Sequence, residues 1–297
     1  MKITVVGMGL IGSSLAWQLR NKGIYVKGYA RKKETIAQAY KYKLIDEGST
    51  DLKTAVKSVD LIIIALPIEI IPEYIQKIDT FLNKKTLVID VASVKLFIVD
   101  QVKSMQLKKV MFVGAHPMAG SEKTGIANYV KNLFEDKAFI VTYINIKDKK
   151  LFEPVLRKLT GLLKARYMVL SAEEHDRTIA TISHLPYVVA CSLYNRYLQE
   201  EDLNRVASTG FRDTTRIAHS DPYWGLLVTL LNKDNLVNGI DEHITQLKKI
   251  KTNLKKINIE EIFDFLNIDG IKGDRKKLQL VKKQITDYYK LLKRASN

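Results

Sequence analysis

Short runs of apolar residues alternate with helix-length amphipathic segments along residues 1–170 of the chain. The runs are continuously apolar and rich in β-branched residues, which is typical of strands whose two faces are both covered by helices. They predict strands at 3–6, 25–29, 61–65, 87–90, 112–114, 139–142 and 167–170. The segments between most of them predict helices, for example at 10–21, 34–42, 68–78 and 150–163. This alternation predicts an α/β fold with a doubly wound, mainly parallel sheet.

The pattern changes at Ser171-Ala172-Glu173-Glu174, where a capping serine precedes acidic residues in the first turn of a helix. Beyond it only helical patterns follow, at 175–200, 203–218, 223–256, 259–265 and 274–294. We therefore expect an α/β domain of residues 1–170 and an all-α domain of residues 171–297. Long helices in so small a domain need a further surface to cover their apolar faces, so we expect a homodimer formed through the helical domain.

Composition narrows the class of protein. The content of 46% hydrophobic and 27% charged residues is ordinary for a globular chain, and no apolar run approaches the length of a membrane-spanning helix. The chain opens on a strand rather than on a secretory signal, and its single cysteine, Cys191, lies in an apolar run. These features predict a cytoplasmic protein without a membrane partner.

The net charge of +16 raises the question of a nucleic-acid partner. The late lysines are spread through helical patterns without the interleaved aromatic residues that stack on bases, and no nucleic-acid motif is present. They indicate a solvated, lysine-rich helix surface, and we expect no nucleic acid to bind.

A glycine fingerprint, Gly7-Met8-Gly9-Leu10-Ile11-Gly12, lies between the first predicted strand and the first predicted helix. In that context Gly7 allows a tight turn, Gly9 lets the backbone approach a pyrophosphate, and Gly12 allows close packing of helix on strand. The helix that opens at Leu10 and Ile11 offers free N–H groups and a positive dipole to phosphates. The alternative is a purely structural glycine turn.

The residues after the second predicted strand bear on the choice of cofactor. An NAD site usually carries an acidic residue there, which binds the ribose 2′-hydroxyl. Here Tyr29 is followed by Ala30-Arg31-Lys32-Lys33. The planar fork of Arg31 is suited to a 2′-phosphate and Lys32 adds positive field, so the sequence favours NADP over NAD; the alternative is an ordinary basic turn.

Further motifs follow other predicted strands or lie in the helical domain. Pro67, in Ala65-Leu66-Pro67, either rigidifies a turn near the cofactor or is only structural. The other motifs are Asp90-Val91-Ala92-Ser93-Val94-Lys95, Gly114-Ala115-His116-Pro117-Met118-Ala119-Gly120, Ser183-His184-Leu185-Pro186 and Gly210-Phe211-Arg212-Asp213-Thr214-Thr215-Arg216. With the glycine fingerprint, this ordered set resembles the prephenate/arogenate dehydrogenase family over nearly the whole chain. Ala30-Arg31 and the segment at 207–213 look most like the NADP-linked arogenate dehydrogenases of cyanobacterial type.

The resemblance implies a Rossmann-like domain followed by a helical dimerisation domain. It also implies the NADP-dependent oxidative decarboxylation of L-arogenate to L-tyrosine with release of CO2, and no metal. Many prephenate-using relatives have a second histidine three residues after the first, where this chain has Tyr187; this favours arogenate. The alternatives are a prephenate dehydrogenase that makes 4-hydroxyphenylpyruvate, and a β-hydroxyacid dehydrogenase, which the absence of a lysine from the first helix after 170 disfavours. A non-enzymatic alternative is a Rossmann domain that serves as a redox-sensing binding module, which would not need His116, Ser93 and Arg216 together.

The resemblance also assigns roles to individual residues. His116, in a loop after a strand, would be the general base, because an imidazole titrates near working pH. Ser93 would hydrogen-bond the substrate hydroxyl or His116, or would only cap a helix beginning near Val94. His184 would form the wall of the site near cofactor and substrate, or would be a core histidine.

Two arginines and a lysine complete the candidate site. Arg216 would hold the ring carboxylate, and Arg212 lies one helical turn earlier on the same face, where it would share that task. The alternatives are an exposed helix arginine at 216 and a surface ion pair at 212. Lys95 would contact the cofactor or a carboxylate, or would point to solvent. His175 matches no motif and is given no role.

Overall fold

The structure is a computed structural model that describes residues 1–121, 123–198 and 206–256, together with residues 279, 283, 285, 286 and 288. The chain forms two compact units, Met1–Leu236 and Val237–Asn297. The predicted division into domains at residue 170 stays a prediction. The predicted helix at 259–265 lies outside the described residues, as does most of the one at 274–294.

The first unit is built on one sheet of eight strands. These are β1 (Lys2–Val6), β2 (Tyr25–Tyr29), β3 (Glu47–Ser49), β4 (Leu61–Ile64), β5 (Thr86–Asp90), β6 (Val110–Pro117), β7 (Ala138–Tyr143) and β8 (Arg166–Val169). Their order across the sheet is β3-β2-β1-β4-β5-β6-β7-β8, and every neighbouring pair is parallel except β6 with β7. The prediction of a doubly wound, mainly parallel sheet is confirmed. The chain leaves β1 toward β2 and later returns to its other side with β4, which creates the crevice where such sheets bind ligands.

Helices cover the sheet and continue beyond it. They are α1 (Leu10–Asn21), α2 (Lys33–Lys41), α3 (Leu52–Ala55), α4 (Ile71–Phe81), α5 (Leu96–Lys103), α6 (Lys149–Leu162), α7 (Ala172–Ile179), α8 (Leu185–Leu198), α9 (Thr209–Thr215), α10 (Pro222–Leu231) and α11 (Lys233–Lys256). A π-helical segment, Ala180–His184, joins α7 to α8, and a 3-10 turn, Arg216–His219, follows α9.

The continuously apolar strands are explained by the two layers of helices. Successive side chains of a strand point to opposite faces of the sheet. In β4, Leu61 and Ile63 belong to one buried cluster, whereas Ile62 and Ile64 belong to another. Both faces are therefore core, and both require apolar residues.

Two strands differ from prediction for physical reasons. β3 was missed because Glu47-Gly48-Ser49 carries no apolar side chain. It is held by pairing with β2 along the sheet edge and by contacts such as the hydrogen bond from the Gly48 N–H to the Tyr40 hydroxyl. β6 extends past the predicted 112–114 and includes His116, which pairs with Ile140 of the antiparallel β7. His116 thus lies on a strand end rather than in the expected loop; glycine, histidine and proline gave no strand signal there.

The helical part confirms the predicted start and corrects two helix lengths. Ser171 and Glu174 form a reciprocal capping box on α7. The predicted helix at 203–218 was wrong in extent, since Ser208 is the extended residue before α9. The predicted helix at 223–256 is divided at Asn232, the C-cap of α10, so that α10 and α11 are separate.

Candidate active site

The glycine fingerprint forms a tight turn from β1 into α1. Gly7 has φ +102°, and a Cβ there would collide with the carbonyl oxygen of Ala65. A Cβ on Gly12 would collide with the carbonyl oxygen of Gly7. At Gly9, the N-cap of α1, no described atom lies within 4 Å of the position that a Cβ would take. The backbone at the start of α1 is therefore open to a ligand, as a pyrophosphate requires.

The other predicted cofactor residues lie at the same edge of the sheet. Leu10 and Ile11 form the first turn of α1. Arg31 is exposed just beyond β2, and Lys32 is the N-cap of α2. Pro67 is exposed and precedes a 3-10 turn after β4. Because β1, β2 and β4 are adjacent and parallel, the three loops that follow them meet at their carboxyl ends.

A chain of hydrogen bonds links two buried histidines to a carboxylate. His116 Nδ1 lies 2.9 Å from His175 Nε2, and His175 Nδ1 lies 2.6 Å from Asp176 Oδ1. A carboxylate only accepts, so His175 Nδ1 carries a proton and donates it. In neutral His175 the Nε2 atom is then an acceptor, and His116 Nδ1 must donate to it. This leaves Nε2 of His116 as an unprotonated, basic nitrogen.

Burial keeps both imidazoles neutral near pH 7. The pKa of His116 lies well below its usual value, first because of burial and then because of His175, Lys95 and His184. Burial also lowers the pKa of His175, although its hydrogen bond to Asp176 opposes that shift. His116 is thus held in its unprotonated form near neutral pH.

Two backbone N–H groups at the start of α5 hold the carboxylate of Asp176. Its Oδ1 and Oδ2 atoms accept from the backbone N–H groups of Lys95 (2.8 Å) and Leu96 (2.9 Å). Asp176 therefore supplies the cap of α5, and the interpretation of Ser93 as the cap of a helix near Val94 was wrong. Ser93 is half-buried in the β5–α5 connection, and its predicted contact with His116 or a substrate stays a prediction.

Lys95 is fully buried, so the alternative in which its side chain points to solvent was wrong. Its ammonium donates to Asp90 at the end of β5. Asp90 also accepts from the backbone N–H groups of Ala92 (3.0 Å) and Ala115 (3.2 Å), the latter directly before His116. Burial lowers the pKa of Lys95, and the charge of Asp90 opposes that shift.

His184 lies in the π-helical segment and has no exposed surface. Asn232 Nδ2 lies 3.2 Å from His184 Nδ1 and 2.7 Å from the carbonyl oxygen of Asp176. Since the amide donates, His184 Nδ1 accepts and Nε2 carries the proton. Within the described part of the chain, that buried Nε2 has no hydrogen-bond partner. Burial lowers the pKa of His184 to about 4, so this proton is offered by a neutral ring.

Tyr187 occupies a space that a glycine leaves open. Its ring meets Trp224 edge-on with centroids 5.4 Å apart, and Trp224 also meets His184 at 6.4 Å. A Cβ on Gly225 would collide with the Tyr187 hydroxyl. Tyr187 therefore packs next to the residue that flanks His184.

The two motif arginines lie together in one cavity. Arg212 and Arg216 line a cavity of about 370 Å³, whose described lining includes neither His116 nor His184. The other lining residues are Tyr194, Tyr197, Ala207, Phe211, Thr215 and His219. Both arginines line this cavity, although Arg212 lies in α9 and Arg216 in the 3-10 turn after it. A role for either in binding a carboxylate stays a prediction.

Sequence reasoning missed His175, Asp176 and Asn232 and gave Lys95 no settled role. The sequence did carry a signal for His175 and Asp176. The buried residues of α7 are Ala172, His175, Asp176 and Ile179, which follow the spacing of one helix face. A histidine and an aspartate on the apolar face of a helix require polar partners, so their spacing along the chain already marks them as a candidate buried pair.

Together, the fingerprint turn and the buried histidine chain define a nucleotide-binding dehydrogenase. The family described as prephenate dehydrogenase, nucleotide-binding domain, matches residues 15–169, and the one described as prephenate dehydrogenase, dimerization domain, matches residues 171–268. The chain belongs to the prephenate/cyclohexadienyl dehydrogenase family of oxidoreductases. The β-hydroxyacid alternative is therefore not retained.

Relatives agree with this assignment. The chain is 34% identical to the prephenate dehydrogenase of Bacillus subtilis (strain 168) over 270 residues, which span 89% of this chain and 72% of that protein. It resembles the crystal structure of Synechocystis arogenate dehydrogenase with a TM-score of 0.72 and 31% identity, over 90% of this chain and 96% of that chain. It also resembles prephenate dehydrogenase from Aquifex aeolicus in complex with hydroxyphenyl propionate and NAD+, with a TM-score of 0.79 and 29% identity, over 96% and 98% of the two chains.

In the described ranges, no helix is both long and apolar enough to cross a membrane.

Proposed function

We propose that the protein is a cytoplasmic, NADP-dependent arogenate dehydrogenase, which oxidises and decarboxylates L-arogenate to L-tyrosine and CO2. The hydrogen-bonded chain His116–His175–Asp176 carries this proposal, because it leaves one buried imidazole nitrogen basic. A base of this kind is what the oxidation of a ring hydroxyl needs.

The reaction begins at the 4-hydroxyl of the cyclohexadienyl ring. His116 Nε2 accepts the hydroxyl proton while the hydrogen on C4 leaves as a hydride. NADP, when bound, supplies the acceptor for that hydride. The resulting ring carbonyl withdraws electrons from the bond to the carboxylate, that bond breaks, and its electron pair enters the ring as CO2 departs. His116 returns its proton to the carbonyl oxygen, which gives the phenol.

The cofactor would be held by residues that fit it. The open backbone at Gly9, with the N–H groups of Leu10 and Ile11, suits a pyrophosphate, and Gly7 and Gly12 form the turn beneath it. Arg31 and Lys32, beyond β2, would receive the 2′-phosphate, and Pro67 would line the neighbouring loop.

Substrate contacts are proposed for the remaining motif residues. Ser93 would bind the ring hydroxyl, and Arg216, supported by Arg212, would bind the ring carboxylate through a charge-assisted contact. His184 would form a wall of the site, with its protonated Nε2 as a neutral donor.

Arogenate is favoured by Tyr187, since this side chain lacks the imidazole that many prephenate-using relatives carry there. Prephenate is the second candidate, because the Bacillus subtilis relative is a prephenate dehydrogenase. The two substrates share the ring chemistry and differ in the side chain, an amino acid in arogenate and a keto acid in prephenate.

A homodimer is proposed on the match to a dimerization domain and on an exposed apolar stripe of α11. The stripe consists of Val237, Ile244, Leu247 and Leu254, which are 41–51% exposed. Their spacing of seven, three and seven residues places them along one side of the helix, as in helices that pair.

The deciding experiment crosses arogenate and prephenate with NADP and NAD and follows the absorbance of the reduced nicotinamide. Reduction of NADP with arogenate alone supports the whole proposal. Turnover of prephenate instead would support the proposed reaction and site residues, and would overturn the inference of substrate preference from Tyr187. Preference for NAD would remove the role of Arg31, and no turnover in any combination would overturn the proposal.

A further inference from the structure

Lys95 and Asp90 form a buried ion pair next to the histidine chain. Lys95 and Asp90 are both without exposed surface. Taking two charges out of water is costly, and an apolar pair of similar volume is often as stable. Stability alone therefore does not explain the pair.

Hydrogen bonds connect Asp90 to the backbone directly before His116, and the backbone of Lys95 to Asp176. Asp90 Oδ1 accepts from the N–H of Ala115, the residue before His116. A Cβ on Gly114 would lie 3.2 Å from Cδ of Lys95, so the lysine side chain runs closely along the end of β6. The backbone N–H of Lys95 binds Asp176, the carboxylate that orients His175.

We propose that Lys95, held by Asp90, is a positioning residue that fixes the strand end bearing His116 and keeps the Nε2 lone pair available for the substrate proton. The inference rests on the proposed function of His116 as the base. The charged or titratable groups that act on His116 are His175 from α7, Lys95 from the β5–α5 connection and His184 from the π-helical segment. Asp176 and Asp90 are the hydrogen-bond partners of His175 and Lys95.

The electrostatics agree with this geometry. The positive charge of Lys95 contributes to the lowered pKa of His116, after burial and His175, and Asp90 is not among its causes. Removing both charges of the pair should therefore raise the pKa of His116. The backbone anchor of Asp176 stays in place, since it uses the N–H of residue 95 and not its side chain.

The test compares Lys95→Met and the double variant Lys95→Met/Asp90→Asn with the full-length wild-type protein. Lys95→Met alone leaves the Asp90 carboxylate buried without its partner, which can prevent folding. The double variant avoids this because it also removes the charge of Asp90. Lys103→Met is the matched control, because Lys103 is a half-exposed lysine on the same helix α5. The readouts are the titration of His116, by NMR of labelled histidines, and the pH profile of kcat/KM. The chain has only 5 histidines, and the His116 signal is assigned by its loss in His116→Asn.

The double variant is expected to raise the pKa of His116 and the acidic limb of kcat/KM by about half to one pH unit. The KM for the cofactor should not change. A His116 titration that moves no further than in Lys103→Met overturns the inference, whatever the activity. If the wild-type protein turns over no cyclohexadienyl substrate, the proposed function fails, and the NMR titration still decides the electrostatic role of Lys95.

Discussion

His116 donates a hydrogen bond from Nδ1 to Nε2 of His175 across 2.9 Å, and this contact fixes the tautomer of the proposed base. Because Asp176 forces His175 to donate from its other nitrogen, the direction of each bond in the chain is determined. Asp176 therefore determines, through His175, that Nε2 is the basic nitrogen of His116.

His116→Asn should lower kcat by about 10²–10⁴-fold, since it removes a general base. Asparagine keeps a donor for His175, so the affinity for NADP should change little; a fluorescence titration of the cofactor checks this. A variant that retains wild-type turnover would remove His116 from its role.

Substitution of His175, the hydrogen-bond partner of His116, separates the positioning of the base from proton transfer. His175→Asn should lower kcat by about 10–100-fold, because the orienting contact is lost while the base remains. The double variant should be no slower than His116→Asn, since groups that act as a unit are not additive. Multiplied losses in the double variant would mean that the two histidines act independently.

The sequence predicted the sheet and the cofactor turn because both depend on local signals. Continuous apolar runs identify strands such as β4, and the glycines of the fingerprint are required by backbone collisions within a short segment. In contrast, β3 depends on edge pairing and carries no apolar residue of its own, so no local pattern marks it.

The sequence predicted only part of the candidate site, because the missing part depends on contacts between distant segments. His116 belongs to a motif, but its partner His175 lies 59 residues away, and Asn232 reaches Asp176 over 56 residues. Contacts of this kind depend on how helices dock, which sequence spacing does not specify. Lys95 illustrates the same point, since its burial follows from the space beside Gly114 and from Asp90.

Arg31→Ala should raise the KM for NADP by about tenfold or more, because a hydrogen bond to a charged group contributes roughly 1.5–3 kcal/mol. The KM for NAD should barely change, since NAD lacks the 2′-phosphate. Lys22→Ala, at the exposed far end of α1, controls for the loss of one positive charge. Equal losses with both cofactors would argue against the phosphate contact.

Stability should fall in mildly acidic solution because His184 is buried as a neutral ring. Its pKa is about 4 in the folded protein, against an ordinary value of 6.5 when unfolded. Between these values the unfolded state binds more protons, so the contribution is complete above about pH 6.5 and is lost as pH falls toward 4. The loss is on the order of 3 kcal/mol.

His184→Gln, which still offers an oxygen to Asn232, should flatten this part of the stability profile measured by chemical denaturation. His219→Gln replaces an exposed histidine and should leave the profile as in the wild type. If both variants show the wild-type slope, His184 does not contribute the pH dependence.

The stripe of α11 predicts the dimer interface. Ile244→Lys/Leu247→Lys should convert the dimer to monomers, because charged side chains at apolar pairing positions are costly to bury. Thr245→Lys/Gln246→Lys adds the same charge at exposed positions off the stripe and should leave the mass unchanged. Light scattering after gel filtration measures both masses; a wild-type protein that is itself monomeric would refute the proposed dimer.

Tyr187→His should move substrate preference toward prephenate, with the ratio of kcat/KM for prephenate over arogenate rising by about tenfold. An imidazole beside Trp224 offers a polar contact for the carbonyl oxygen of a keto acid, and its protonated form would repel the ammonium of arogenate. Tyr187→Phe is the matched control, since it also lacks an imidazole and keeps the packing against Trp224 and Gly225. It should preserve the wild-type preference. If Tyr187→His and Tyr187→Phe shift the ratio equally, the shift comes from loss of the hydroxyl, and the absence of an imidazole does not determine substrate choice.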